Sequence, residues 1–229
     1  MTVSSFFPQQ ALDWQSLQPD LAITEFPPER VDFWSLQPNA KQALSVFLRH
    51  PNRFLLMLKA DDQAEYASLL ESFTKLHHHR EQLVFGVNYV VEQGDAFSFP
   101  RVYTEVAHSL DDNFATPGEV VNALYCDQFQ LFGSLRVHPS SHDIQLNPGL
   151  VHRANGGVLI LSAAMLLSQF DLWLRLKHIL QTQTFDWYSA HPFKHLPCDV
   201  PSYKLNLKVI VLGNRTELAT LGELEESLY

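Results

Sequence analysis

Four consecutive apolar residues, Val158 to Leu161, follow an Asn155-Gly156-Gly157 turn and precede Ser162 and Ala163. The run is too short for a helix and rich in strand formers, so it predicts a strand buried on both faces. A strand of that kind needs helices on either side of its sheet. Phe54–Leu58 and Lys208–Leu212 have the same character, and the three together predict an α/β domain with a mainly parallel sheet flanked by helices. Such sheets place their chemistry at the C-terminal ends of the strands. The positions to read for function are therefore those just after Leu58, Leu161 and Leu212.

Between these strands the punctuation predicts the rest. Asn39 can cap a helix from Ala40 to Arg49, which puts Ala43, Leu44, Phe47 and Leu48 on one face. A helix from Ala64 to His77 follows the first strand across a short loop, the strand–loop–helix order of a phosphate-binding unit. Gln93-Gly94-Asp95 predicts a hairpin insertion between strands at 83–92 and 96–107. The stretch from Thr116 or Pro117 to Tyr125 reads as a helix through Val120, Val121 and Leu124. Ala164–Gln181 is the strongest helical pattern, with Leu166, Phe170, Trp173, Leu176 and Leu180 on one stripe. Phe185–Tyr188 reads as a short strand, and Glu217–Leu228 as an acidic helix. Residues 1–38, rich in proline and aromatic residues, form an N-terminal arm to a domain spanning 39–229.

Composition excludes several classes. The formal net charge of −9 opposes non-specific nucleic-acid binding, because the phosphate backbone would be repelled. No apolar stretch approaches the roughly 20 residues needed to cross a bilayer. No secretory signal pattern precedes the arm, so the expected compartment is the cytoplasm. Cys126 and Cys198 have no metal-like spacing and read as free thiols. His77, His78 and His79 are consecutive; on a helix they point in different directions and cannot converge on one ion, so a solvated helix end is expected. His138 and His142, with Asp143, lack a fourth ligand, and no metal site is expected. Ser162 has neither a nearby base nor a nucleophile-elbow pattern and reads as a structural serine at a strand end.

Four segments carry a resemblance to the Lon-like ATP-dependent proteases of the LonB type. They are Gln37-Pro38-Asn39-Ala40-Lys41-Gln42-Ala43, Leu131-Phe132-Gly133-Ser134-Leu135-Arg136, the run Pro148 to Ile160, and Lys208-Val209-Ile210-Val211-Leu212-Gly213-Asn214. The third is the most specific, and the match covers most of residues 36–218. The resemblance implies an AAA+-like nucleotide-hydrolase fold whose sensor position is Asn214. It also implies ATP and Mg²⁺ as cofactors of the family, protein substrates, and self-association into a ring. The loop from His138 through Ser140 to His142 falls where the family's ring faces its central pore, which makes it a candidate substrate contact.

The chain departs from that family where the chemistry would be. The family's phosphate loop, Gly-x-x-Gly-x-Gly-Lys-Ser/Thr, cradles phosphates with backbone N–H groups, a lysine and a metal-holding hydroxyl. The matching stretch here runs from Lys59 to Tyr66 and contains no glycine. Glu65 stands in the lysine position and Tyr66 in the hydroxyl position, with Asp62 between strand and helix. Ser162 and Ala163 replace the acid pair that holds the metal and polarises water. The expectation is a degenerate, hydrolysis-dead domain with no catalytic residue and no cofactor of its own, serving subunit packing, substrate engagement or control of a protease. The family's helical lid and Ser–Lys protease domain are expected beyond this fragment. Two alternatives remain open at this stage: a true ATP-binding motor with an unusual loop, and a stand-alone protein-interaction domain.

Overall fold

The computed structural model describes residues 32–60, 63–77, 84–94, 100–138, 143–187, 196 and 198–226. The elements in chain order are α1 (Phe33–Leu36), α2 (Pro38–Arg49), β1 (Leu55–Lys59), α3 (Gln63–His77), β2 (Val87–Glu92), β3 (Arg101–Val106), β4 (Val120–Ala123), α4 (Gln128–Phe132) and β5 (Ser134–Val137). They continue with β6 (Ile144–Asn147), α5 (Leu150–Arg153), β7 (Val158–Ser162), α6 (Ala163–Ser168), α7 (Phe170–Thr182), β8 (Thr184–Phe185), β9 (Tyr203–Lys204), β10 (Lys208–Gly213) and α8 (Arg215–Glu226).

The chain divides into two compact units, Met1–Lys41 and Gln42–Tyr229. The described part of the first is small: Asp32 caps α1 by accepting from Trp34 N, and its carboxylate lies 3.9 Å from Lys41 Nζ in an exposed pair. Most of the predicted arm lies outside the described residues.

The second unit is built on a four-stranded, all-parallel sheet in the order β1-β10-β7-β4. This is the expected α/β architecture, a P-loop-like sheet flanked by helices. The register is simple: Leu56 pairs with Ile210, and Ile210 pairs with Ile160. Every residue of β7 and β10 is buried, because both strands lie inside the sheet and carry helices over it. The helix α3 packs across β4, β7 and β10, while α6 and α8 pack on each other and on β10. Trp173, Phe132, Leu166 and Leu176 complete the core around this sheet.

Two local expectations are corrected. Val120–Ala123 is not helical; it is the edge strand β4, paired with Val158–Leu161 of β7. Burial of Val120, Val121 and Ala123 against α3 and β7 outweighs a helix-like spacing only a few residues long. The long helix expected over 164–181 is two helices, because Gln169 leaves helical geometry (φ −132°, ψ 66°) and its side-chain amide donates to Cys126 O at 3.2 Å. The strands flanking the His138–Asp143 loop were not expected: β5 and β6 pair antiparallel, and His138 N donates to Asp143 O at 2.9 Å. The other hairpin stands as expected, β2 against β3 from Val87↔Val106 to Glu92↔Arg101. No helix among the described residues is long and apolar enough to cross a membrane.

Candidate functional site

All four sheet strands point the same way, so the ends of β1, β7 and β10 form one edge. Lys59 closes β1 and is exposed; Ala60 is buried and extends the ladder by donating its N–H to Gly213 O at 2.9 Å. Asp62 lies outside the described residues. Glu65 and Tyr66 stand in the first turn of α3, Glu65 exposed and Tyr66 half-buried.

At the end of β7, Ser162 is buried and its Oγ accepts from Met165 N at 3.4 Å, so it caps α6. Ala163 is fully buried, and its methyl is 2.7 Å from where a side chain on Gly213 would begin. No carboxylate therefore reaches this edge from β7. At the end of β10, Asn214 Oδ1 accepts from Glu217 N at 2.9 Å, and Asn214 N donates to Glu217 Oε2 at 2.9 Å. That reciprocal pair is a capping box for α8. A second donor, Gln63 Nε2 from the start of α3, reaches the same Glu217 oxygen at 2.9 Å. The structure thus brings Lys59, Ser162, Ala163 and Asn214 to one edge, and the hydroxyl of Ser162 and the amide oxygen of Asn214 hold helix starts there.

His138 sits at the end of the β5–β6 hairpin, and Ser140 and His142 lie outside the described residues. His77 stacks on Phe73 at 3.9 Å and donates Nδ1–H to Phe73 O, closing the last turn of α3; His78 and His79 are outside the described residues. No cluster of three or more His, Cys, Asp or Glu is placed to hold a metal among the described residues. Both cysteines are free, and burial raises the Cys126 thiol to about 11 and shifts Cys198 upward as well.

The opposite edge of the sheet contains what sequence reasoning did not anticipate. His152 is buried among Phe114, Phe185, Trp187 and Tyr203, nearly parallel to Trp187 and edge-on to Phe114. Burial, aided by the charge of Arg175, pushes its pKa down to about 3. Its Nδ1 accepts from Gly149 N at 2.9 Å, so the one proton of the neutral ring is on Nε2. Asn155 Oδ1 accepts from Asn206 N at 2.8 Å, and Gly156 N donates to Asn206 O at 2.7 Å, which ties the turn before β7 to the entry of β10. Gly157 leaves no space for a side chain: a Cβ there would lie 2.1 Å from Glu119 O. Lys208 begins β10 with its ammonium inside the protein, donating to the carbonyls of Phe47 (2.8 Å), His50 (2.6 Å) and Arg53 (3.1 Å). A basic residue at the head of an apolar strand was the available signal for that clamp, and a histidine next to the double-glycine turn the signal for the cage.

A parallel sheet in the order β1-β10-β7-β4, with a helix following β1, defines an α/β P-loop-like domain. Residues 119–229 match the LonB-like AAA domain family. A Lon protease homolog of Haemophilus influenzae is 72% identical over 232 residues, covering 99% of this chain and 39% of that protein. A Lon protease homolog of Escherichia coli is 40% identical over 228 residues, covering 95% of this chain and 37% of that protein. The chain is a Lon-like AAA-type region, and it spans under half the length of these relatives. Among solved structures, NtrX of Brucella abortus superimposes with a TM-score of 0.46 at 13% identity, over 84% of this chain and 33% of that one.

Proposed function

We propose that this chain is the nucleotide-hydrolase-like region of a Lon-like protease, kept for its fold and not for ATP turnover. Its work is to engage protein substrates, to pack subunits together and to control the protease region that the relatives' names imply. The observation that carries this reading is the use of the three motif positions at the sheet edge. Ser162 caps α6, Ala163 is buried against Gly213, and Asn214 caps α8. A metal-dependent hydrolase needs carboxylates free to hold Mg²⁺ and orient water at this edge. Here two of the positions are spent on helix starts and the third is a buried methyl. Lys59, Glu65 and Tyr66 belong to the same reading as remnants of the phosphate loop, and Asp62 and Glu65 oppose a triphosphate by charge. His138, which follows β5, is a proposed substrate contact, and Ser140 and His142 are proposed with it from the sequence alone.

Calorimetric titration with ATP and a slowly hydrolysed analogue, with and without Mg²⁺, tests the central claim. The expected result is no saturable binding at millimolar nucleotide. Micromolar, Mg²⁺-dependent binding would replace this reading with a motor.

A further inference from the structure

We propose that Glu217 is an internal latch, joining the start of α3 to the start of α8 so that the two helix starts open and close together without a nucleotide. This rests on the reading of a nucleotide-independent domain and says what holds its sheet edge in place. A capping box needs Glu217 only to accept from Asn214 N. The same oxygen, Oε2, also accepts from Gln63 Nε2, a residue 154 positions away in sequence and the first of α3. One carboxylate oxygen therefore serves two helices on neighbouring strands.

The surroundings are shaped for it. The Ala60 N–Gly213 O bond carries the β1–β10 ladder one residue past β1, which draws the two strand exits together. Gly213 makes room: a Cβ there would come within 3.1 Å of Glu217 Oε2 and 2.7 Å of the Ala163 methyl. The start of α6 is thus packed against the same point. In a nucleotide-binding strand–loop–helix unit, a bound phosphate links the helix following the first strand to the neighbouring strand ends. Here a side chain of the protein supplies an anionic oxygen at that edge, with Gln63 and the Asn214 N–H as its donors.

Native-state hydrogen exchange on the full 229-residue chain tests the latch. The reporters are the amides that close the two first turns, Ala67 and Ser68 in α3 and Leu218 and Ala219 in α8. With Glu217→Ala, all four are expected to lose protection together, by about tenfold, the effect of roughly 1.4 kcal/mol of local stability. Glu217→Gln retains an acceptor oxygen and is expected to stay within about threefold of the wild type. Gln63→Ala leaves the α8 capping box intact and is the second arm, should Glu217→Ala fail to fold. It is expected to loosen Leu218 and Ala219 as well as Ala67. If Glu217→Ala loosens α8 alone, or Gln63→Ala leaves α8 unchanged, Glu217 is only a cap and the latch is wrong. The outcome is separable from the nucleotide titration: uncoupled helices with no ATP binding overturn the latch alone. Coupled helices with tight ATP binding overturn the scaffold reading alone.

Discussion

The two edges of the central sheet are built by different rules. At the edge where the strands enter, the interactions are long-range and hard to replace: Lys208 on three carbonyls, Asn155 on Asn206, Gly157 against Glu119, His152 in its aromatic cage. At the edge where the strands leave, Ser162 and Asn214 each make a local bond that starts a helix, and Glu217 supplies the main side-chain tie between helices. The stretch Pro148 to Ile160, in which the sequence resembles the Lon-like family, crosses the entry edge and runs into β7. The difference teaches that the entry edge ties together segments distant in sequence, while the exit edge mostly starts the helices that follow its strands. Substitutions at the two edges can break that contrast or sharpen it.

The largest effect is expected at the exit edge if it is packed and not vacant. Ala163→Glu places a carboxylate in a fully buried position beside Gly213. Overpacking together with an unpaired buried charge is expected to cost about 4 kcal/mol or more. Urea denaturation should show the loss, and no ATP turnover should appear even with Ser162→Asp added. A stable Ala163→Glu protein would mean that this edge is an open site, and the contrast would fail.

At the entry edge, Lys208→Met removes the donor shared by the carbonyls of Phe47, His50 and Arg53. With those carbonyls left in a partly buried setting, a loss of about 3 kcal/mol is expected by the same denaturation assay. Burial already lowers the Lys208 pKa, so the three carbonyls are what keep its charge tolerable inside. A change under about 1 kcal/mol would show that the clamp is ornamental and the two edges equivalent.

Acid should act through His152. The unfolded histidine titrates near 6.5, while the folded one is pushed down to about 3. Between those values the unfolded chain binds a proton that the folded chain refuses, so stability is present above about pH 6.5 and falls as pH falls toward 3. This one site should remove about 2 kcal/mol between pH 7 and pH 5. His152→Phe should lower stability at pH 7, because Gly149 N–H loses its acceptor, yet flatten the pH dependence. An unchanged slope in that variant would place the acid sensitivity elsewhere.

Much of this architecture could be read in the sequence, for a physical reason. Strands buried on both faces are apolar at every position, and Leu55–Lys59, Val158–Ser162 and Lys208–Gly213 fall within a residue or so of the expected bounds. The edge strand β4 could not be read this way, since Val120, Val121 and Leu124 fit either period over so short a span. The break between α6 and α7 was equally hidden: neither Gly nor Pro marks Gln169, whose geometry goes with a tertiary bond to Cys126 O. At the candidate site, sequence showed which residue types are missing. It could not show that Glu217, from the following helix, would reach across to Gln63, because their separation of 154 residues carries no local signal.

The smallest predicted effect separates a sensor from a cap. Asn214→Ala removes the acceptor for Glu217 N at 2.9 Å and leaves the backbone N–H that donates to Glu217 Oε2. A lost N-cap is expected to cost about 1 kcal/mol. The first turn of α8 should loosen, and because Glu217 joins the two helix starts, the first turn of α3 should lose some protection with it. A residue retained to read a nucleotide would give the opposite pattern, with little change in stability and a change in nucleotide response. If Asn214→Ala frays only α8, the two helix starts are not coupled and the exit edge is held by local caps alone. The long-range ties would then belong to the entry edge, where the Lon-like stretch begins its run into β7.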